Sequence, residues 1–153
     1  MEIEFFKPDV THIEQMQAVV KEEVDNGTIL LRTEDEMANT IRSYTVVKVD
    51  GNIAGFTALH IHSARLSEIR SLVISKEYRG LKLGKKLVEA CIEEGKKLGL
   101  KQILSLTYQK DFFEKLGFDE IEKEQIPEHK IWADCIRCKY FPKCDEIAMV
   151  YDL

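Results

Sequence analysis

The chain contains no apolar run near the ~18 residues that a membrane-spanning helix requires, and no repeat, low-complexity tract or linker. It lacks a surplus of positive charge. The net charge is −5 with histidine neutral, whereas a general nucleic-acid binder carries a basic face. The same deficit gives no reason to expect an acidic membrane surface as partner. The opening MEIEFFKPD has neither the basic start nor the apolar stretch of a secretion signal. A cytoplasmic protein is therefore expected, with cysteines present as thiols or metal ligands rather than disulfides. What is present is the composition of a soluble globular protein: 153 residues, 44% hydrophobic and 32% charged. That length suits one ordinary domain with one core, and residues 1–153 are read as such.

The order of elements is legible from local signals. EIEFF reads as a short strand. Thr11 and Glu14 form a T-x-x-E capping box, and Val10, Ile13, Met16, Val20 and Val24 recur at helical spacing until Asn26-Gly27. Thr33 with Glu36 makes a second box, opening a shorter helix through Met37 and Ile41. YTVVKV and NIAGFTALHIH are strands joined by an Asp50-Gly51 hairpin turn. SEIRSLVI is a further strand. YRGLKLG is a turn, and a long helix follows with Leu83, Leu87, Val88 and Cys91 on its buried face. KQILSLT is a strand, DFFEKLG a short helix, and FDEIEKE and EIAMVYDL are strands. Antiparallel hairpins mixed with a strand-turn-helix-strand unit predict an α/β fold with a mixed, twisted sheet.

The unit that carries chemistry is SEIRSLVISKEYRGLKLGKKLVEA, residues 67–90. A buried strand feeds a short loop, and the loop feeds a helix N-terminus. The first N–H groups of a helix lack intrahelical partners and sit at the positive end of its dipole. Gly80 and Gly84 let backbone approach a bulky anion. Arg79, Lys82 and Lys85 add positive charge. The combination is a phosphate cradle, to be weighed against an ordinary turn whose glycines serve only positive φ.

This stretch resembles the acetyl-CoA-binding motif of the GNAT superfamily of N-acetyltransferases, Arg/Gln-x-x-Gly-x-Gly/Ala. Arg79 and Gly84 match its ends, and Lys82 stands where the family has its middle glycine. If φ must be positive there, Lys82 bears strain. DFFEKLGFDE is similar to the family's FYEKLGF. The resemblance implies a GNAT fold: a mostly antiparallel twisted sheet of about seven strands with about four helices, and two central parallel strands that splay apart. It implies acetyl-CoA as co-substrate. The pantetheine arm would meet the backbone of Leu72, Val73 and Ile74. The pyrophosphate would sit on Arg79, Gly80, Leu81, Lys82, Leu83, Gly84 and Lys85. The Val73 N–H would polarise the thioester carbonyl.

Transfer to a protonated amine needs a base. Glu68, at the start of the splayed strand, is the candidate, because several members of the superfamily carry a glutamate base there. The alternatives for Glu68 are a solvated carboxylate or an ion pair with Arg70. Members that place a tyrosine at the Phe113 position use it to protonate the leaving thiolate. Phenylalanine cannot, and Tyr108 is the nearest substitute. Arg32 and Arg70 suit a carboxylate-bearing acceptor, the alternative being two surface arginines. ILLRTEDEM, SEIRSLVI, LTYQKDFFEKLGF and KIWADCIRCKYFPKCDEIAMVYDL together resemble short bacterial amino-acid N-acetyltransferases, the N-acetylglutamate synthases of arginine biosynthesis. That resemblance implies L-glutamate as acceptor, Arg32 and Arg70 as its carboxylate ligands, and Lys130 and Trp132 as pocket residues. Transfer to another amino acid, a polyamine or a protein N-terminus is the alternative, as is a non-catalytic zinc-binding interaction domain on the same fold.

The insert at about 126–145 holds Cys135, Cys138 and Cys144, with His129 nearby. A zinc site, a thiol-packed loop beside the acceptor pocket and a redox pair all remain open. Cys91 is read as core. A homodimer is compatible with the sequence, which does not specify one.

Overall fold

The computed structural model describes residues 1–126 and 146–153. Its strands are β1 (Ile3–Phe6), β2 (Tyr44–Val49), β3 (Asn52–Ile61), β4 (Leu66–Ile74), β5 (Gln102–Thr107), β6 (Asp119–Ile121) and β7 (Ile147–Asp152). Its helices are α1 (Ile13–Asp25), α2 (Glu34–Asn39), α3 (Leu83–Leu98) and α4 (Lys110–Lys115). The strands form one sheet in the order β1-β2-β3-β4-β5-β7-β6. Neighbours run antiparallel except β4 and β5, which are parallel. The mixed seven-stranded sheet and the α/β class are those the sequence predicts.

Both faces of the sheet are covered, which is why YTVVKV is nearly continuous in apolar residues rather than alternating. Val46 packs with Ile13, Met16 and Val20 of α1 and Met37 of α2. Its neighbour Val47 points the other way, against Leu83 and Leu87 of α3. A further cluster joins Val88, Cys91 and Ile92 of α3 to Ile69, Ile103, Phe113 and Met149. The predicted apolar face of the long helix is thus the buried one. Burial pushes the Cys91 thiol up to about 12, so it is core rather than a reactive group.

Asp50 and Gly51 both take positive φ, 50° and 83°, the requirement of a tight hairpin turn. The Thr33–Glu36 box forms as expected, with Glu36 N–H donating to Thr33 Oγ1 at 3.2 Å and Thr33 N–H to Glu36 Oε1 at 3.1 Å.

Three local expectations need correction. The first helix is capped by Asp9 rather than Thr11: the Thr11 N–H donates to Asp9 Oδ1 at 2.8 Å, and the Asp9 N–H donates to His12 Nδ1 at 3.0 Å. Aspartate is among the best N-caps, and it starts a 3-10 turn, Val10–His12, that runs into α1. Val10 is left outside the buried stripe at 57% exposed. The second helix stops at Asn39, and Ile41 falls in a separate 3-10 turn, Ile41–Ser43. FDEIEKE is strand only over Asp119–Ile121, because Glu122 N–H turns back to Gln125 Oε1 at 2.9 Å.

Among the described residues, no helix is long and apolar enough to cross a membrane.

Candidate active site

Two irregularities in β4 build the central cleft. On the β3 side, Arg70 pairs with Ala58 and Val73 with Phe56. Ser71 and Leu72 therefore stand against Thr57 alone, which is a β-bulge. Ser71 carries the bulge at φ 56°, and Thr57 Oγ1 donates to the Arg70 carbonyl at 3.0 Å. On the β5 side, Leu66, Ser67 and Glu68 pair with Gln102, Ile103 and Leu104. No further β4–β5 pairing is present among the described residues, although β5 continues to Thr107 on β7. Past Glu68 the two parallel strands diverge, as the resemblance implies for this fold. The opening is a cleft of ≈ 340 Å³ lined by Glu68 through Ile74 on one side and Ser105 through Gln109 on the other.

The direction of the β4 backbone follows from its pairing. Ser75 N–H donates to the Ala54 carbonyl at 2.7 Å. Hydrogen-bonded pairs alternate along an antiparallel ladder, so Val73, two residues back, also turns its N–H and C=O toward β3. The Val73 oxygen lies 2.3 Å from where a Cβ on Gly55 would stand, consistent with that direction. Ile74 faces the opposite way, its carbonyl accepting from Arg79 Nε at 3.4 Å. The expectation that the Val73 N–H polarises a thioester is therefore corrected. Leu72 and Ile74 present their backbone polar groups to the cleft.

Beyond Ile74 the chain turns through Gly80 at φ 92° and Lys82 at φ 60° and enters α3. Lys82 caps the helix in the left-handed conformation, so the strain expected from the missing glycine is present. Its side chain makes no capping bond, and the first turn of α3 holds no acidic residue. The first turn of α2, by contrast, holds Glu34, Asp35 and Glu36. The orphan N–H groups of α3 are thus not neutralised locally and suit an anion. Arg79, Lys82 and Lys85 are exposed around them, with Arg79 Nη2 at 3.6 Å from Glu23 Oε1. A Cβ on Gly84 would meet the Phe112 ring at 3.6 Å, an ordinary contact that leaves room for Gly or Ala.

Glu68 is 7% exposed and sits where the splay begins. Its Oε1 accepts from Arg70 Nε at 3.0 Å and lies 2.8 Å from His62 Nε2. The ion pair with Arg70 foreseen as an alternative is present, yet Glu68 still lines the cleft. Arg32 lines the same cleft, with a side chain 16% exposed, so neither arginine is a free surface group. Burial pushes the Tyr44 phenol up, while Arg32 and Arg70 both pull it back. Tyr108 is at the rim of the cleft, 43% exposed, whereas Phe113 is buried. Lys130, Trp132, His129, Cys135, Cys138 and Cys144 lie outside the described residues. Among the described residues no group of three or more His, Cys, Asp and Glu side chains could hold a metal.

Sequence reasoning missed His62, Ser71 and Gly55. His62 carried one weak signal, its alternation with His60 at the end of NIAGFTALHIH. The bulge at Ser71 carried none, since neither glycine nor proline marks it.

A search of family models matches residues 8–118 to the acetyltransferase (GNAT) family. An uncharacterized N-acetyltransferase of Chlorobaculum tepidum is 37% identical over 127 residues, covering 83% of this chain and 81% of that protein. An amino-acid acetyltransferase of Aeromonas salmonicida is 30% identical over 105 residues, 67% of this chain but 24% of that protein. The chain therefore spans about a quarter of the length of that relative. Among solved structures, an N-acetylglutamate synthase of Neisseria gonorrhoeae, complexed with coenzyme A and N-acetyl-glutamate, superposes with a TM-score of 0.87 at 20% identity. That match covers 100% of this chain and 35% of the synthase, and at this identity it is a likeness of fold.

Proposed function

The chain belongs to the GNAT acetyltransferase family, and on that premise we propose that it transfers the acetyl group of acetyl-CoA to the α-amino group of L-glutamate. It is an acetyl-CoA-dependent acyltransferase, and the acceptor is the proposed part. The observation that carries the acceptor is the placing of Arg32 and Arg70 in the cleft that holds Glu68. Two guanidinium groups recognise carboxylates by paired N–H donors, and glutamate brings two carboxylates with one amine. Lys130 and Trp132 are proposed as further pocket residues.

Acetyl-CoA supplies an activated acyl thioester. The residues fit it on two counts: the open β4–β5 cleft, and the cationic, acid-free start of α3. Arg79, Lys82, Lys85 and the N–H groups from Gly80 to Lys85 would hold its phosphates. The backbone of Leu72 and Ile74 would take its amide-bearing arm. Leu72 is the nearer of these to Glu68 in the strand, so its N–H is assigned to the thioester carbonyl. A preorganised donor at that oxygen is worth several kcal/mol. Glu68 takes the proton of the acceptor ammonium, directly or through a water. The amine nitrogen bonds to the acyl carbon, the C–S bond breaks, sulfur leaves as thiolate, and the second proton that nitrogen sheds as the amide forms passes to solvent. Tyr108, at the rim, is the proposed proton donor to that sulfur. A thiol with a reference pKa of about 8.5 also leaves without one.

The acceptor assignment is tested by steady-state kinetics with L-glutamate. Arg32→Ala should raise the glutamate KM by about 10-fold or more, the scale of a lost charge-assisted hydrogen bond. The acetyl-CoA KM should move less than about 2-fold. A raised acetyl-CoA KM with unchanged glutamate KM would remove Arg32 from the acceptor pocket.

A further inference from the structure

His62 lies just beyond β3, and its side chain is wholly enclosed, at 0% exposed. Its Nε2 is 2.8 Å from Glu68 Oε1. Its Nδ1 is buried and has no hydrogen-bond partner among the described residues. Buried polar atoms are nearly always paired, so the bare nitrogen calls for a reason. It also fixes the tautomer. A proton on Nδ1 would leave a buried N–H without an acceptor, which is rarer in folded proteins than a bare acceptor. It would also turn the Nε2 lone pair toward a carboxylate oxygen. The ring proton therefore belongs on Nε2, donated to Oε1.

Arg70 Nε donates to that same oxygen from the next inward-facing position of β4, at 3.0 Å. Oε2 takes no hydrogen bond among the described residues, and Glu68 lines the cleft. The carboxylate is thus held at one oxygen from two directions, and the other oxygen is left for chemistry. The His60 ring packs edge-on against that of His62, their centroids 4.8 Å apart.

We propose that His62 is a positioning residue of acetyl transfer: its Nε2–H locks Glu68 through Oε1, so that Oε2 is the atom that receives the acceptor's proton. The proposal rests on Glu68 as the base. Arg70 alone would serve poorly as the lock, because it is also assigned to the acceptor's carboxylate. An arginine drawn toward an incoming substrate would leave the base on a single movable bond. His62 is enclosed, touches no substrate and keeps its bond through turnover.

The test compares His62→Leu, His62→Gln, Glu68→Gln and the double variant His62→Leu/Glu68→Gln, with L-glutamate or whichever amino acid proves to be the acceptor. His62→Leu removes the donor. His62→Gln restores an N–H of similar reach. His62→Leu should lower kcat by about 10- to 100-fold, less than the loss of the base itself, with the acetyl-CoA KM changed less than about 2-fold. His62→Gln should recover to within about 3-fold of the parent. The double variant should be no slower than Glu68→Gln, since a lock has nothing to act on once the base is gone. Fully additive losses, or a glutamine variant as slow as the leucine one, would overturn the proposal. If Glu68→Gln keeps the full rate, the base assignment falls and the role of His62 falls with it. If Glu68→Gln is slow but His62→Leu is not, only the role of His62 falls. Nitrogen-15 spectra of the histidine rings give a reading independent of turnover. A protonated Nε2 whose signal moves in Glu68→Gln is expected, and a ring protonated on Nδ1 would contradict the assignment.

Discussion

Glu68→Gln should lower kcat by about 10²- to 10⁴-fold, the span of a lost general base, and leave the affinity for acetyl-CoA within about 2-fold. The substitution is close to isosteric. The glutamine oxygen can occupy the place of Oε1 and accept from both Arg70 Nε and His62 Nε2, the bonds now made at 3.0 and 2.8 Å. Its amide nitrogen then stands where Oε2 was, and an amide N–H₂ cannot take a proton from an ammonium. Fold and cofactor cradle are preserved while the chemical step is not. Steady-state kinetics joined to calorimetric titration with acetyl-CoA separates the two effects. A variant with parental kcat would show that the acceptor loses its proton elsewhere.

Gly55→Ala should be the most damaging small substitution in the sheet. Gly55 faces Ile74 across the β3–β4 ladder. A Cβ there would stand 2.3 Å from the Val73 carbonyl oxygen and 2.6 Å from Ile74 Cδ1. The first contact is with backbone, so a rotamer change cannot relieve it, and β3 and β4 must separate. Overpacking of this kind costs about 1–3 kcal/mol, and backbone involvement places this case at the upper end. For a chain of this size that is a fall in Tm of about 5–10 °C. The displaced segment is Leu72 to Ile74, in which the backbone polar groups of Leu72 and Ile74 face the cleft. Acetyl-CoA affinity should therefore fall along with stability, unlike in Glu68→Gln. A thermal melt and a binding titration on the same sample check this. An unchanged melt would mean the strands are not held as closely as described.

The elements were legible where short-range chemistry decides them. The Asp50-Gly51 turn, the Thr33–Glu36 cap and the four-residue spacing of Leu83, Leu87 and Cys91 are local signals. Tertiary structure did not override them. The turn and helix start proposed to cradle an anion at α3 were legible for the same reason, because a glycine-bearing turn and a following helix are contiguous in the chain. What escaped depends on pairing between distant strands. Which way the Val73 N–H points is decided by its register with Phe56, and a one-residue offset reverses every backbone group. The Ser71 bulge sets that offset, and serine at positive φ leaves no mark in the sequence. His62 was overlooked because its partner, Glu68, reaches it only once β3 and β4 are laid side by side. Glu68, Arg32 and Arg70 were found by residue type and by resemblance, and the fold brings all three to one cleft.

The most direct measurement is release of CoA from acetyl-CoA against a panel of the standard amino acids and common polyamines. The account predicts saturable turnover with L-glutamate well above that with any other acceptor, and N-acetyl-L-glutamate as the product. Turnover with a polyamine or another amino acid, with none on L-glutamate, would contradict the assignment of Arg32 and Arg70 to an acceptor's carboxylates. So would an inert protein that nevertheless binds acetyl-CoA.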